Sequence, residues 1–493
     1  VPVTPAEPDA PALEALAREL IDTHTNDLEP DERLGKVSRY LDGDQDPPYT
    51  PKGANREFRS IAEKSITNWL PLISDTFSKG LFVDGYRHAG SADNAKAWSY
   101  WQANGLDARQ TVVHRGALEY GTSYVLVLPS EGKNPEYPTI RPISPLKATA
   151  FYQDDDDEWP EHALIMRGET REGTRLFEVL DDTYIHYFSV EKDHDEPALT
   201  SSVEHGMGVC PIVRFRNRLD GEAKGIIRPL FRLQDRINEA VFTLLVALQY
   251  ASFRQRWATG LAIPVDDQET IPDPANPGAT IPNPNLGKPL ESFNAAVNRL
   301  WVSDSPEAKF GDFSQTEVTG HLSAYGSAVK TLAALAQTPP HVLLGDLVNL
   351  SADALAAAEA STQRKTEEYE TIFGEAWEQV FRLAAYAQGD AEAFEDTGAQ
   401  VRWRDTEARS LAATVDALGK MAQMLHVPFE ALWERIPGVT DTDVQTWREM
   451  AKDTDGIRAL ADALAAAGQA NTEDEALGTE APPPAAAPLP PTA

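Results

Sequence analysis

The sequence predicts an α+β fold in which helical blocks flank a run of short strands. Three observations carry this. Apolar residues step by three and four before residue 120 and again after residue 227, which is the helical period. Between those blocks lie seven short runs rich in β-branched and aromatic residues, separated by turn-forming segments. The two strongest helical periodicities are themselves separated by a stretch dense in Pro, Asn and Gly.

In chain order, residues 1–12 are Pro- and Ala-rich without periodicity. Leu13–Asp27 places Leu13, Leu16, Leu20 and Ile21 on one helical face, and Lys36–Asp42 is a shorter helix. Asp44–Gly53 is a Pro-rich loop. Arg56–Leu81 reads as helix, with Pro71 kinking or breaking it. Ala92–Asn104 and Ala108–Tyr120 complete the first block. The strands expected next are Ser123–Leu128, Thr139–Ile143, Ala148–Tyr152, His162–Arg167, Arg175–Leu180, Thr183–Phe188 and Pro211–Phe215.

From Ile227 the pattern is helical again. Leu230, Leu233, Ile237, Val241, Leu244 and Leu248 form a narrow apolar stripe, predicting a helix over Arg228–Thr259 about 48 Å long at 1.5 Å per residue. Residues 260–300 are irregular, and Asn298–Phe313 is expected to be a hairpin with Arg299–Val302 as one arm. A second periodic helix runs Val318–Ala336 on Val318, Leu322, Tyr325, Val329, Leu332 and Ala336, with Gly320, Ser323, Ala324 and Gly326 on its other faces. Small residues there let neighbouring backbones approach closely. The first stripe is expected to pack on this helix, within one subunit or between two. Pro339-Pro340 ends the second helix and Ser351 is an N-cap for a third, Ala352–Ala387, so residues 339–350 should lie outside helix. That connection is unusually apolar, with Val342, Leu343, Leu344 and Leu347. Further helices follow Arg402–Arg404 to about Ala467, and 468–493 is Ala-, Pro- and Glu-rich, as disordered chains are. No internal repeat stands out.

Composition narrows the function. Asp and Glu number 77 against 44 Lys and Arg, a net charge of -33, which is the wrong sign for a protein that grips duplex DNA by its phosphates. Cys210 is the only cysteine, so neither an intrachain disulfide nor a multi-cysteine metal site exists. No basic segment followed by an apolar run opens the chain, and the longest apolar stretch, Ala240–Leu248, is too short to span a bilayer.

Catalytic motifs are missing as well. Gly278–Lys288 approaches a P-loop but has the wrong spacing, with Pro289 where Ser or Thr must hold magnesium. Asp42, Asp44 and Asp46 alternate as calcium ligands do, but Pro47 replaces the turn glycine and Gly53 the closing Glu. Asp154–Glu158 reads as a solvated acidic turn, and His194 as part of a charged surface loop. No catalytic residue, metal or cofactor is expected. One basic region stands out, with Arg214, Arg216, Arg218, Lys224, Arg228, Arg232, Arg236, Arg254 and Arg256. It suits phosphate contact or, as the favoured reading, salt bridges to acidic neighbours.

Several blocks in order resemble one family. Tyr40-Leu41-x-Gly43-x-Gln45-x-Pro47-Pro48 is followed by Asn68-Trp69-x-Pro71-x-Ile73 and by Gly80-Leu81-x-Val83-x-Gly85-Tyr86-Arg87. Pro211-Ile212-Val213-Arg214-Phe215-x-Asn217-Arg218 leads to Leu233-Gln234-Asp235-Arg236-Ile237-Asn238 and Phe253-Arg254-Gln255-Arg256-Trp257. Thr338-Pro339-Pro340 and Ser351-x-x-Ala354-Leu355 close the series. Over roughly residues 13–467 the chain resembles phage portal proteins of the Gp6-like branch found in siphophages of actinobacteria. It departs at Gly221–Ile227, where relatives tend to carry a Gly-x-Ser-Glu-Ile-like turn.

The resemblance implies a portal fold with a mixed α/β wing (1–225), two long stem helices (226–259 and 314–338), a small β-containing clip insert (260–313), a tunnel loop (339–350), a long wing helix (351–398), a helical crown (399–467) and a disordered tail (468–493). It implies a homo-dodecameric ring at one capsid vertex that passes double-stranded DNA during packaging and ejection. Implied partners are the terminase large subunit, a head-completion or adaptor protein, and the major capsid and scaffold proteins, with no membrane. The implied location is the virion's portal vertex, and host cytoplasm during assembly. Val342, Leu343, Leu344, Asp346 and Leu347 become the tunnel loop. Ile237, Val241, Leu244, Leu248, Leu322, Tyr325 and Val329 become the stem packing, and Arg228, Arg232, Arg236 and Lys330 are assigned to DNA or inter-subunit contact. Two alternatives compete: an acidic hydrolase using paired carboxylates, and another phage capsid structural protein.

Overall fold

The structure is a computed structural model. It describes residues 9–87, 95–130, 136–192, 196–252, 256–259, 266–273, 276, 278–288, 307, 309–312, 317–345, 352–404, 411–436, 439 and 442–452. The elements begin with α1 (Ala10–Asp27), α2 (Arg33–Asp42), α3 (Arg56–Lys64), α4 (Leu70–Ser78), β1 (Val83–Arg87), α5 (Ala95–Ala103) and α6 (Leu106–Tyr120). The strands β2 (Thr122–Leu128), β3 (Thr139–Ile143), β4 (Ala148–Phe151), β5 (His162–Glu169), β6 (Arg175–Leu180), β7 (Tyr184–Val190), β8 (Ala198–Glu204) and β9 (Ile212–Arg216) follow. Next come α7 (Phe231–Ser252), β10 (Arg256–Thr259), β11 (Thr270–Pro272), β12 (Thr280–Pro282), β13 (Lys309–Asp312), α8 (Thr319–Leu335) and α9 (Pro340–Leu344). The chain continues through α10 (Ala352–Ala387), α11 (Ala391–Glu395), β14 (Gln400–Trp403), α12 (Leu411–Leu425), α13 (Phe429–Trp433) and a last helical stretch, 442–452. It is a mixture of helix and sheet, as the α+β expectation has it. Two compact units form: unit 1 from residues 1–34, 74–225 and 363–493, unit 2 from 35–73 and 226–362.

Unit 1 is built on a five-stranded antiparallel sheet in the order β4-β5-β6-β7-β8. Successive strand residues point to opposite faces, so a strand covered on both sides must be apolar throughout. On one face Leu164, Phe177, Val179, Phe188 and Val190 pack under Ala17, Leu20 and Ile21 of α1. On the other, Ala163, Ile165, Leu180 and Ile185 meet Tyr124, Leu126 and Ile212 of the three-stranded sheet β3-β2-β9. Glu178 breaks the pattern inside β6. It is buried, and Arg167 and Arg141 neutralise it at 2.7 and 3.3 Å, since a lone carboxylate there would be costly.

A second core is aromatic. Trp101, His114, Phe215, Phe373 and Trp377 are all fully buried, and the Trp377 indole N–H donates to His114 Nε2 at 2.8 Å. Strand β1 pairs antiparallel with β14, joining chain segments more than 300 residues apart. Gly85 makes room for this pairing: a Cβ there would lie 2.9 Å from Arg402 Nε, which instead bonds Asp84 at 2.9 Å. Tyr86 stacks on Phe381 with ring centres 4.1 Å apart.

In unit 2, α3 and α8 both pack on α7, with Phe58 edge-on to Phe242 at 5.1 Å. Strands β11 and β12 form a hairpin that places Ile271 opposite Ile281. Its two arms carry the same tripeptide, Thr270-Ile271-Pro272 and Thr280-Ile281-Pro282, a short repeat that the sequence reading missed. Proline on each arm removes a ladder donor and limits the hairpin's pairing with other edges.

Several expectations are corrected. The helix over Arg228–Thr259 is a 3₁₀ turn, Arg228–Leu230, then α7 ending at Ser252. Arg256–Thr259 is instead a strand, because Lys309–Asp312, about fifty residues on, pairs with it antiparallel. The arm expected at Arg299–Val302 lies outside the described residues. The helix over Arg56–Leu81 stops at Lys64, and Pro71 sits in the first turn of α4, where no amide donor is needed. Strands β1, β8 and β14 were not expected. β8 reads Ala-Leu-Thr-Ser-Ser-Val-Glu, mostly exposed and without apolar alternation, so periodicity could not find it. The 468–493 segment lies outside the described residues.

Gly225 tests the packing of unit 1. A Cβ at this position would overlap the Glu119 carbonyl, a backbone group that cannot swing aside. Gly225→Ala should destabilise unit 1 by about 3 kcal/mol in urea unfolding. A loss below ~0.5 kcal/mol would show that the close approach is not there.

Candidate assembly and channel site

The polar residues of the early family-like blocks meet in unit 2. Gln234 and Asn238 are four residues apart on α7 and so share one face. Gln234 Nε2 donates to the Thr67 carbonyl at 2.6 Å and to Asn238 Oδ1 at 2.9 Å, while the Trp69 amide donates to Gln234 Oε1 at 3.1 Å. Asn238 Nδ2 donates to Gln45 Oε1 at 2.6 Å, and Asn238 Oδ1 also accepts from the Thr67 amide at 3.1 Å. Gln45 Nε2 donates in turn to Asn68 Oδ1 at 3.0 Å. Asn68 Nδ2 reaches the carbonyls of Tyr40 and Leu41 at 2.7 and 3.0 Å. Gly43, in the left-handed region at φ 79°, turns the chain between Tyr40 and Gln45. Gln45, Gln234 and Asn238 are buried, and each finds its partners inside the network.

Tyr40 adds a second tie. Its ring stacks on Phe231 at 4.0 Å and its hydroxyl donates to Asp235 Oδ1 at 2.8 Å. Burial, reinforced by the bond to Asp235, pushes the Tyr40 phenol above its ordinary range. Burial also raises the Asp235 carboxyl, against the pull of the Tyr40 hydroxyl. In the sequence these residues stand out only as parts of the family-like blocks, with no role attached. The signal was available: two amides at i and i+4 beside the core residues Leu233 and Ile237 have to be satisfied somewhere.

The apolar stripe divides along its length. Ile237 is fully buried, Val241 and Leu244 are half-buried, and Leu248 is 43% exposed. Phe242, outside the expected stripe, is buried. On α8, Val329 and Leu332 are buried and Tyr325 is half-buried, its phenol raised by burial. Leu322 is 58% exposed and Leu335 66%. Arg232, Arg236 and Lys330 are exposed, with Asp235 and Glu239 interleaved on α7, and Arg228 is half-buried.

The basic region further upstream is engaged in ion pairs. Arg214 and Arg216 hold Asp155 at 2.8 and 3.0 Å, and the Arg214 guanidinium lies 3.7 Å from the centre of the Tyr152 ring. Arg218 pairs with Asp220, Lys224 with Glu222, and Arg382 with Glu158. The acidic turn 154–158 is thus a clasp for arginines in unit 1. Among the described residues no cluster of His, Cys, Asp and Glu is arranged to hold a metal ion, and no helix is long and apolar enough to cross a membrane.

The connection over 339–350 differs from expectation. Pro340–Leu344 is a short helix, α9, with Leu343 buried and Val342 and Leu344 half-buried. Pro340 fits its first turn, and Gly345 at φ 70° caps it, its amide donating to the His341 carbonyl at 2.9 Å. A helix start and a glycine stop fit between the two breakers. Asp346 and Leu347 lie outside the described residues, as does the proposed cap Ser351.

The sequence matches the family described as phage portal protein, SPP1 Gp6-like, over residues 19–456. The portal protein of Mycobacterium phage D29 is 27% identical over 363 residues, 71% of this chain and 71% of its own. That of Mycobacterium phage L5 is 25% identical over 401 residues, 79% of this chain and 78% of its own. Among solved structures, a chain from the virion of a native gene transfer agent particle aligns with 12% identity and a TM-score of 0.37, covering 80% of this chain and 99% of that one. A chain from the neck of the native particle, computed with C12 symmetry, aligns with 12% identity and a TM-score of 0.38, covering 82% and 94%. The class is therefore a structural component of a phage capsid, which removes the hydrolase alternative. The chain belongs to the SPP1 Gp6-like family of phage portal proteins.

Asn238→Leu should cost unit 2 about 3 kcal/mol, because the Gln45 carbonyl, the Thr67 amide and one Gln234 donor hydrogen would lose their buried partner. Urea unfolding reads this, and a loss under ~1 kcal/mol would mean that water satisfies the network.

Proposed function

We propose that twelve copies of this chain form a closed ring at one capsid vertex, through which double-stranded DNA is packaged and later ejected. Unit 2 supplies the walls of the channel. Its α7–α8 pair is the stem, the β11–β12 hairpin and its flanks are the clip, and α9 with the residues up to 350 lies at the constriction. Residues 1–225 and α10 make the wing, and 399–467 the crown. The clip is the docking surface first for the terminase large subunit and then for a head-completion or adaptor protein. The wing meets the major capsid and scaffold proteins, and assembly takes place in the host cytoplasm.

One observation carries the reading. A helix pair that buries Ile237, Val329 and Leu332 leaves Leu248 and Leu322 in water. An apolar stripe abandoned halfway is what a subunit shows when a neighbouring copy completes its core. The charge supports the same reading. A chain with a net charge of -33 offers phosphates few counter-charges, so DNA slides rather than binds. Arg232, Arg236 and Lys330 serve contacts between subunits or brief contacts with DNA.

Leu322→Asp separates assembly from folding. Leu322 is largely exposed within one chain, so the variant should unfold in urea as the parent does, within ~0.5 kcal/mol. In sedimentation it should no longer form rings, because twelve carboxylates would enter the interface without partners. Rings of normal size would contradict this assignment of the stem interface.

A further inference from the structure

Unit 1 holds two histidines whose surroundings accept only the neutral ring. At His114, Nε2 receives the Trp377 indole N–H at 2.8 Å, and an indole nitrogen can only donate. Nε2 is therefore the bare nitrogen, and Nδ1–H faces the Leu81 carbonyl at 3.2 Å. Phe373, Trp377 and Trp403 surround the ring, and burial pushes its pKa down to about 3. At His205, Nδ1 receives the Met207 amide at 3.1 Å, again a group that only donates, and Nε2–H faces the Asp181 carbonyl at 3.1 Å. Burial lowers the His205 pKa, even though Asp181, Asp182 and Glu204 stand near and favour the cation.

The other buried histidines of unit 1 differ. His186 lies between the Asp181 carboxylate at 2.9 Å and the Ser202 hydroxyl at 2.8 Å, neither of which is a group that only donates. His24 bonds the Thr149 hydroxyl at 2.6 Å, a group that can turn from donor to acceptor, although burial lowers the ring's pKa too, against the Leu146 carbonyl and Asp27. In unit 2, His321 is half-exposed and His341 lies 3.9 Å from Glu359.

We propose that His114 and His205 are acid-release latches, so that unit 1 loosens before unit 2 once the pH falls below about 6.5. A proton on His114 removes the bond from α6 to α10, and one on His205 removes the bond closing the segment after β8. The sign follows from linkage. The unfolded chain takes up these protons near pH 6.5 while the folded one refuses them, so stability is full above that value and falls as the pH drops. Asp181 enters the balance only in stronger acid. Although burial opposes ionisation, the bonds from His186, Tyr184 and Thr183 hold its carboxyl at about 2.

The test is urea unfolding of the full-length protein at pH 7, 6 and 5, read by peptide-resolved hydrogen exchange corrected for intrinsic rates. For peptides from 106–120 and 373–387 the unfolding constant should rise on the order of a hundredfold between pH 7 and 5, with a much smaller rise over 231–248. His114→Gln together with His205→Gln should abolish most of that rise. Exchange at the histidine ring C2–H, read on the parent protein, stands independently of whether the variants fold. His114 should stay neutral in the native state at pH 5, and His205 should titrate below its ordinary range. Titration of either ring above pH 6, or a flat response of unit 1 between pH 7 and 5, would overturn the proposal.

Discussion

Gln45, Asn68, Gln234 and Asn238 leave bulk water together, and three of the four are buried. A buried primary amide left unpaired costs as much as several good contacts supply, so each must be satisfied by the others or by backbone close at hand. That requirement brings three distant stretches of chain to one place: the turn at Gly43, the strand-like entry at Thr67–Trp69 and the first two turns of α7. Once they meet, the orientation of α7 about its axis is set. Ile237 then faces inward, while Leu248, on the same face about three turns further along, is exposed because less of the chain covers that end of the helix. Hydrophobic burial alone would allow α7 to roll; a network of directional bonds does not.

Electrostatics follows a different logic in unit 1. The arginines that look free in the sequence are mostly engaged: Arg214 and Arg216 on Asp155, Arg402 on Asp84, Arg141 and Arg167 on Glu178. The chain's acidity therefore stands little opposed at the surface. On the proposed reading, in which DNA moves past the protein, that is an advantage in rate, because every neutralised phosphate would be a place to stop. It also keeps a chain with exposed leucines soluble before it finds its neighbours.

Much of this was legible beforehand, and the exceptions have physical reasons. Seven strands and the long helices show themselves by period, because a covered face repeats every two or about four residues. β8 escaped because it lies at a sheet edge and is half wet, and β1 and β14 because their pairing partner is hundreds of residues away. The end of α7 was misplaced because Arg256–Thr259 can continue a helix pattern locally, and only the distant Lys309–Asp312 makes it a strand. Pro339-Pro340 ends α8 as expected, but the five residues from Pro340 suffice for one further helical turn. Of the candidate site, the stripe on α7 was visible and its division into buried and exposed halves was not. That division depends on which residues α3 and α8 cover. The amide network was visible only as a set of family markers, since sequence does not say which polar residues will be buried.

The central claim is that the half-covered α7–α8 face exists to be closed by copies of the same chain. The native mass of the purified full-length protein tests it most directly. A closed ring near twelve times 54.0 kDa, with no stable intermediate sizes, is the predicted result. A monomer or dimer at micromolar concentration, in low and in physiological salt alike, would contradict it.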